Sequence, residues 1–268
     1  MREAEHRNSD PRRRARIVAA ALISAFLVVV GGVAAVLLTS SGDGPSRAPD
    51  RPRALAPVTN LRTPTTPHPP PLRAAATKGS DIPIFAAPDQ AVPVDTLSTQ
   101  TSYLLPRTLL AFDQQQDWLH VYLPTRPNNA TGWVRASDVV VSAPLEWRVR
   151  VSLAEHHLWL LHDGAVEFDT GVAIGTSSYP TPIGLFYVTD PIDLHDQPNL
   201  GYGVFAIGLS GHSDVLTEFG GGDGQIAIHG TNNPGDVGND VSHGCVRVTN
   251  DAIERLSQLP LGTPVEIA

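Results

Sequence analysis

Hydrophobic and polar residues alternate along most of the chain after residue 80, which is typical of β strands with one buried face. The alternation is clearest in residues 118–123, 148–153 and 157–161. The motif His162-Asp163-Gly164 follows the third of these runs and predicts a hairpin turn into the run at 166–169. This part of the chain is therefore predicted to be mostly β.

Only two short helices are predicted. The first is Ser213–Phe219, which is expected to stop at the glycines 220–222. The flexibility of these glycines suits a segment that lines a cleft. The second is Asn250–Leu256, which begins at a polar cap and is followed by a closing strand at 264–267.

An uncharged apolar run covers residues 17–38, a length that spans a bilayer as a helix. Six arginines lie in residues 1–16 and predict a cytoplasmic tail, so that the rest of the chain faces outward. A cleaved signal peptide is the alternative, but its apolar core is usually shorter. We expect a single-pass cell-membrane protein whose chain after residue 38 lies on the outer side of the membrane.

Residues 39–79 contain nine prolines among threonine, serine and arginine residues. Such a composition cannot bury a core and predicts an extended, disordered tether. At about 3.1 Å per residue in the polyproline form, the tether would reach on the order of 100 Å from the membrane.

Residues 80–142 are predicted to form a small β module. The spacing from Asp117-Trp118 to Gly132-Trp133-Val134 resembles that of bacterial SH3-like domains, which implies a small barrel. Trp118 and Trp133 have two interpretations, a platform for peptide or glycan and the ordinary aromatic core of a barrel.

Charge and cysteine content narrow the function classes. The chain has a formal net charge of −8, and residues 80–268 hold seven basic against 22 acidic side chains. This acidic outer part disfavours nucleic acid and anionic lipid as ligands. The chain has one cysteine, so it has no internal disulfide.

That cysteine, Cys245, lies in the motif Ser242-His243-Gly244-Cys245, and His229 ends an apolar run sixteen residues upstream. We expect two adjacent strands to hold the sulfur and an imidazole within hydrogen-bond reach, which is the arrangement of a thiol nucleophile and its base. A buried structural cysteine is one alternative. A zinc site of His229, His243 and Cys245 is another, although the spacing is tight and we predict neither metal nor cofactor.

Three segments resemble the L,D-transpeptidases with a YkuD-type catalytic domain. They are Thr181-Pro182-Ile183-Gly184-Leu185-Phe186, His229-Gly230-Thr231 and Ser242-His243-Gly244-Cys245-Val246-Arg247. The resemblance covers residues 146–268 and implies a β sandwich-like domain with short helices. It also implies an enzyme that joins peptidoglycan stem peptides.

The resemblance assigns roles residue by residue. Cys245 would be the nucleophile that forms a thioester with the donor stem peptide, and His229 the general base and acid. The Gly230 carbonyl would orient the imidazole, and the main-chain N–H groups of Gly244 and Cys245 would face the oxyanion. The residues expected around the substrate are Ser242, His243, Arg247, as a partner for a substrate carboxylate, and Tyr202, as the nearest aromatic.

The predicted function is thus a peptidoglycan L,D-transpeptidase, an acyltransferase whose partners are the donor and acceptor stem peptides and, through the N-terminal helix, the membrane. Two alternatives stay open. One is a thiol L,D-carboxypeptidase, in which water resolves the thioester. The other is a non-catalytic protein that binds the wall.

Overall fold

The structure is a computed structural model that describes residues 71–268. The predicted cytoplasmic tail (1–16), the membrane helix (17–38) and most of the predicted tether (39–79) lie outside these residues. Within the described part of the chain, no helix has the length and apolar character needed to cross a membrane. The anchor therefore stays a prediction.

The upstream module, residues 73–144, consists of antiparallel strands around a core of aliphatic side chains such as Ile82, Leu109 and Val134. Five strands form a sheet in the order β6-β5-β4-β1-β7, and β2 pairs with β3. The strands are β1 (Arg73–Thr77), β2 (Ile82–Ile84), β3 (Asp95–Leu97), β4 (Thr108–Gln115), β5 (Trp118–Tyr122), β6 (Thr131–Arg135) and β7 (Val139–Pro144).

The module begins earlier than the sequence predicts. Strand β1 lies inside the segment assigned to the tether and pairs with β4 on one side and β7 on the other. Its sequence Arg-Ala-Ala-Ala-Thr has no alternation of large apolar residues, so its strand forms because both neighbours supply backbone partners. The module extends beyond the predicted end at 142, since β7 runs to Pro144.

Trp118 and Trp133 belong to the core of the module. Both are buried and pack with Phe85 in one aromatic cluster, and Trp118 donates from Nε1 to Asp89 Oδ1 at 3.2 Å. The core interpretation of the two tryptophans is therefore correct. The likeness of the module to SH3-like domains stays a prediction.

The rest of the chain is built around one sheet in the order β10-β9-β8-β17-β12-β13-β14-β16. Strands β8 and β17, and likewise β14 and β16, are parallel, and the other neighbours are antiparallel. The elements are β8 (Trp147–Ser152), β9 (His157–His162), β10 (Ala165–Gly171), β11 (Ile174–Gly175), β12 (Gly184–Asp193), β13 (Phe205–His212), β14 (Gln225–His229), β15 (Asp240–Ser242), β16 (Val246–Arg247), α1 (Asn250–Leu256) and β17 (Pro264–Ile267).

This sheet curls around a single core. Val149 and Leu158 from one end of the sheet share a hydrophobic cluster with Ile228 and Val246 from the other end. Helix α1 covers the same core with Ile253. The domain is thus mostly β with few short elements of helix, as predicted.

Of the two predicted helices, one forms. Helix α1 has the expected bounds, and the Thr249 hydroxyl caps it by accepting the Ala252 N–H at 3.3 Å. The predicted helix at 213–219 is wrong, because this segment is an irregular loop. Arg126 of the upstream module donates to the carbonyls of Ser213 and Leu216 at 3.1 and 2.9 Å, which satisfies these groups without helical bonds.

Candidate active site

The two central side chains lie on one face of the sheet. Strands β14 and β16 are parallel, with His229 opposite Arg247 and Ile228 opposite Val246. Because side chains alternate between faces, Ile228 and Val246 enter the core, while His229, Arg247 and Cys245 lie on the opposite face. Cys245 is thus diagonal to His229, and diagonal neighbours in a sheet are within reach of an aromatic side chain. The predicted adjacency of the two strands is confirmed.

The loop before β16 is tied down by one hydroxyl. Ser242 Oγ accepts the Gly244 N–H at 3.0 Å and donates to the Cys245 carbonyl at 2.6 Å. Gly244 has a φ of +118°, a conformation that favours glycine. The two main-chain N–H groups predicted to face the oxyanion therefore differ in whether they are free to do so. The Gly244 N–H is engaged by Ser242, whereas the Cys245 N–H has no partner among residues 71–268.

His229 is buried and held by its own neighbour. Its Nδ1 lies 2.6 Å from the carbonyl oxygen of Gly230. Because a carbonyl only accepts, Nδ1 carries the proton, and the lone pair of the neutral ring is on Nε2. Burial lowers the pKa of His229 to about 4, and the charge of Arg247 acts in the same direction. The imidazole is therefore neutral at pH 7 and able to accept a proton.

Within the described residues, no hydrogen bond joins the Cys245 sulfur to the His229 ring, so the expected direct bond is not present. Burial raises the pKa of the Cys245 thiol, while a main-chain hydrogen bond with Ala227 and the charge of Arg247 partly offset this effect. The resting pair is thus a neutral thiol beside a neutral imidazole rather than a thiolate–imidazolium ion pair.

Arg247 is already paired. Its Nη1 donates to Asp236 Oδ2 at 2.8 Å, and its buried Nε has no partner in the described part of the chain. The guanidinium is partly buried, and Arg247 lies opposite His229 in the register of β14 and β16. Its charge lowers the pKa of both His229 and Cys245, so its first role is electrostatic. Binding of a substrate carboxylate would require it to share or leave Asp236.

The two predicted aromatic substrate residues take different positions. Tyr202 lines the cleft, and its ring packs nearly perpendicular to that of His229 with centroids 4.8 Å apart. Burial raises the pKa of Tyr202 to about 12. His243 is exposed and lies against the rings of Tyr179 and Phe219, at 4.9 and 5.3 Å. It is thus placed at the rim of the cleft.

A cleft of about 180 Å³ opens beside Cys245 on the same face of the sheet. Its floor is formed by β12, β13 and β14, and the segment 219–224 forms one wall, as expected for the predicted cleft-lining glycines. Ser102 and Tyr103 of the upstream module form another wall. Sequence patterns missed Tyr103 and Asp236, since neither belongs to a motif and both are brought to the site by loops.

The zinc alternative finds no cluster to support it. Among residues 71–268, the group of three side chains of metal-ligand type whose ligand atoms all lie within 4.8 Å of one another is Glu146, His162 and Asp163. These lie at an exposed hairpin remote in sequence from the motifs, and His229, His243 and Cys245 do not form such a group.

The fold and site together define a β-sheet domain with a cysteine–histidine pair at the head of a cleft, and comparison with known proteins agrees. Residues 146–267 match the family model described as the L,D-transpeptidase catalytic domain, YkuD. A Bacillus subtilis protein, YqjB, which carries the name of an L,D-transpeptidase, is 36% identical over 123 residues, covering 44% of this chain and 69% of that protein. YkuD of Bacillus subtilis is 29% identical over 151 residues, 54% of this chain and 83% of that protein.

The chain therefore belongs to the YkuD-type L,D-transpeptidase family, which acts on peptidoglycan peptides. Among solved structures, an L,D-transpeptidase from Mycobacterium tuberculosis is similar with 15% identity and a TM-score of 0.40, covering 60% of this chain and 90% of that one.

Proposed function

We propose that this protein is a peptidoglycan L,D-transpeptidase that cross-links stem peptides through a thioester on Cys245. The observation that carries the proposal is the parallel register of β14 and β16, which places Cys245 and His229 on one face at the head of the cleft. The membership of the family supplies the substrate class.

In the first half-reaction, the Cys245 sulfur attacks the carbonyl carbon of the third residue of a donor tetrapeptide stem. His229 Nε2 takes the thiol proton as the carbon–sulfur bond forms, because the thiol is not ionised at rest. The negative charge on the carbonyl oxygen is met by the free Cys245 N–H. The carbon–nitrogen bond then breaks, and the imidazolium returns its proton to the leaving D-alanine amine.

In the second half-reaction, an amine of the acceptor stem attacks the thioester carbon. His229 removes a proton from this amine, and the sulfur leaves and regains a proton. The Gly230 carbonyl keeps the ring oriented through both steps by holding the Nδ1 proton. We further propose that the reaction takes place on the outer side of the membrane, beyond the predicted tether that precedes strand β1.

The test is acylation of the whole chain by a carbapenem, whose strained lactam carbonyl reacts with an activated thiol. We expect one adduct per chain by intact-protein mass spectrometry, and none with Cys245→Ala. His229→Gln should slow acylation by about 10²–10⁴-fold, the usual contribution of a general base. A folded wild-type protein that forms no adduct would contradict the nucleophile assignment.

Product analysis separates the two enzymatic outcomes. A tetrapeptide stem incubated alone and with an amine acceptor is examined for released D-alanine, tripeptide and cross-linked product. Cross-linked product supports the transferase, whereas tripeptide alone in the presence of acceptor shows that water resolves the thioester.

A further inference from the structure

The cleft beside Cys245 is not built by the catalytic domain alone. Tyr103, in the loop between β3 and β4 of the upstream module, packs on an apolar cluster that includes Ile192, Leu194 and Ala206. Tyr202, whose ring touches His229, packs on the same cluster. Tyr103, which lies outside the matched family domain, thus packs on the same apolar cluster as the tyrosine that contacts His229.

The environment of Tyr103 is that of a ligand contact. Its side chain and that of Cys245 line the same cleft. Its pKa is raised, first by burial and then by the nearby carboxylates of Asp190 and Asp223. Its hydroxyl has no hydrogen-bond partner within residues 71–268, while the ring lines the cleft. A phenol in such a position offers an aromatic face and a free O–H donor to a peptide.

The module also holds the opposite wall. Arg126 binds the loop through the carbonyls of Ser213 and Leu216. The Asn128 side chain accepts the His212 N–H at 2.9 Å and donates to the His212 carbonyl at 2.7 Å. These hydrogen bonds hold residues 212–216, which lead directly into the cleft wall at 219–224.

We propose that the upstream module is part of the substrate site, with Tyr103 as a contact residue for the stem peptide and the turn at 126–128 as the support of the facing wall. This inference rests on the proposed function and extends it beyond the family domain. Among residues 71–268, the side chains that line the cleft include Asp223 but no lysine or arginine, so this end receives the amide and amine groups of a peptide rather than its carboxylate.

The kinetic test compares the whole chain with Tyr103→Ala, Tyr103→Phe and, as a matched control, Tyr122→Phe in strand β5 of the same module. We expect Tyr103→Ala to raise KM for the tetrapeptide donor about tenfold and Tyr103→Phe about threefold, with Tyr122→Phe unchanged. Alkylation of Cys245 by iodoacetamide, which needs no peptide site, should stay within about twofold in all three.

Arg126→Gln tests whether the hydrogen bonds from Arg126 to the loop at 213–216 support the facing wall. Because this change frees the loop from the module, we expect a higher KM for the peptide together with faster alkylation of Cys245. Equal loss of peptide turnover and alkylation in Tyr103→Ala would show a merely structural role and overturn the proposal. So would an unchanged KM in an active protein.

Failure of the proposed function is seen separately. If the wild-type chain neither transfers nor hydrolyses the donor, affinity is measured directly by calorimetry with Cys245→Ala and with Cys245→Ala carrying Tyr103→Ala. A tenfold weaker affinity of the double variant for the tetrapeptide supports the contact, and equal affinities overturn it.

Discussion

Gly203 and Gly230 pack backbone against backbone, so closely that a Cβ on Gly203 would lie 2.5 Å from the Gly230 carbonyl carbon. The same Cβ would meet the Asn250 side chain. The carbonyl that orients His229 is therefore positioned by a second glycine 27 residues upstream, whose role no motif in the sequence indicates.

Gly203→Ala should displace the Gly230 carbonyl and with it the His229 ring. Gly201→Ala is the matched control, because Gly201 also has a positive φ but a Cβ there meets nothing within 4 Å. Both changes carry the cost of a left-handed backbone, about 1–2 kcal/mol. We expect only Gly203→Ala to lose more than tenfold in carbapenem acylation, and equal losses would refute the close-packing argument.

The reactivity of Cys245 should follow an elevated thiol pKa. Since burial raises this pKa and no ion pair with His229 exists at rest, iodoacetamide alkylation should increase steadily from pH 6 to pH 9. A thiolate–imidazolium pair would instead give a rate that is flat across this range. The pH profile of alkylation, followed by mass spectrometry, decides between these states.

The buried neutral His229 should make stability depend on pH. Its folded pKa of about 4 is below the unfolded value of 6.5, so the unfolded chain binds the extra proton first. Stability is therefore lost as the pH falls from 6.5 to 4, by at most about 3 kcal/mol at about 1.4 kcal/mol per pKa unit. Urea unfolding at pH 7 and pH 4 should show a smaller difference for His229→Gln than for wild type. An identical difference in both proteins would exclude the burial effect.

Arg247 and Asp236 should shift the thiol in opposite directions. Arg247→Gln removes a positive charge that lowers the thiol pKa, so the alkylation profile should move to higher pH. Asp236→Asn leaves the guanidinium charge unbalanced, so the profile should move to lower pH. Asp240→Asn, which loses only an exposed pair with His156, should leave it unchanged. Shifts of the same sign for the first two variants would contradict the electrostatic role.

Local patterns predicted the parts of the fold in which sequence-adjacent residues determine the structure. The hairpin at His162–Gly164 and the helix Asn250–Leu256 form as expected, because turn and cap residues act on their immediate neighbours. The pair Cys245 and His229 was found because each lies in a motif at a strand end.

Long-range contacts explain what the sequence did not reveal. Strand β1 depends on partners at 108–111 and 139–144, and the loop at 213–219 is held by Arg126 rather than by its own helical bonds. The absence of a resting bond from the sulfur to the imidazole depends on side-chain placement that spacing does not encode. Tyr103 reaches the cleft only because the module packs on the catalytic sheet.

The family match begins at residue 146, yet residues before this limit, including the turn at 126–129, form hydrogen bonds with strand β12. Asn129 Oδ1 accepts the Leu185 N–H at 3.0 Å, and the Tyr187 hydroxyl donates to the Tyr122 carbonyl at 3.3 Å. A fragment starting at residue 146 would lose both partners, and the hydroxyl of the fully buried Tyr187 would lose the Tyr122 carbonyl that accepts its hydrogen bond. The upstream strands thus complete the hydrogen bonding of strand β12, at the centre of the second sheet.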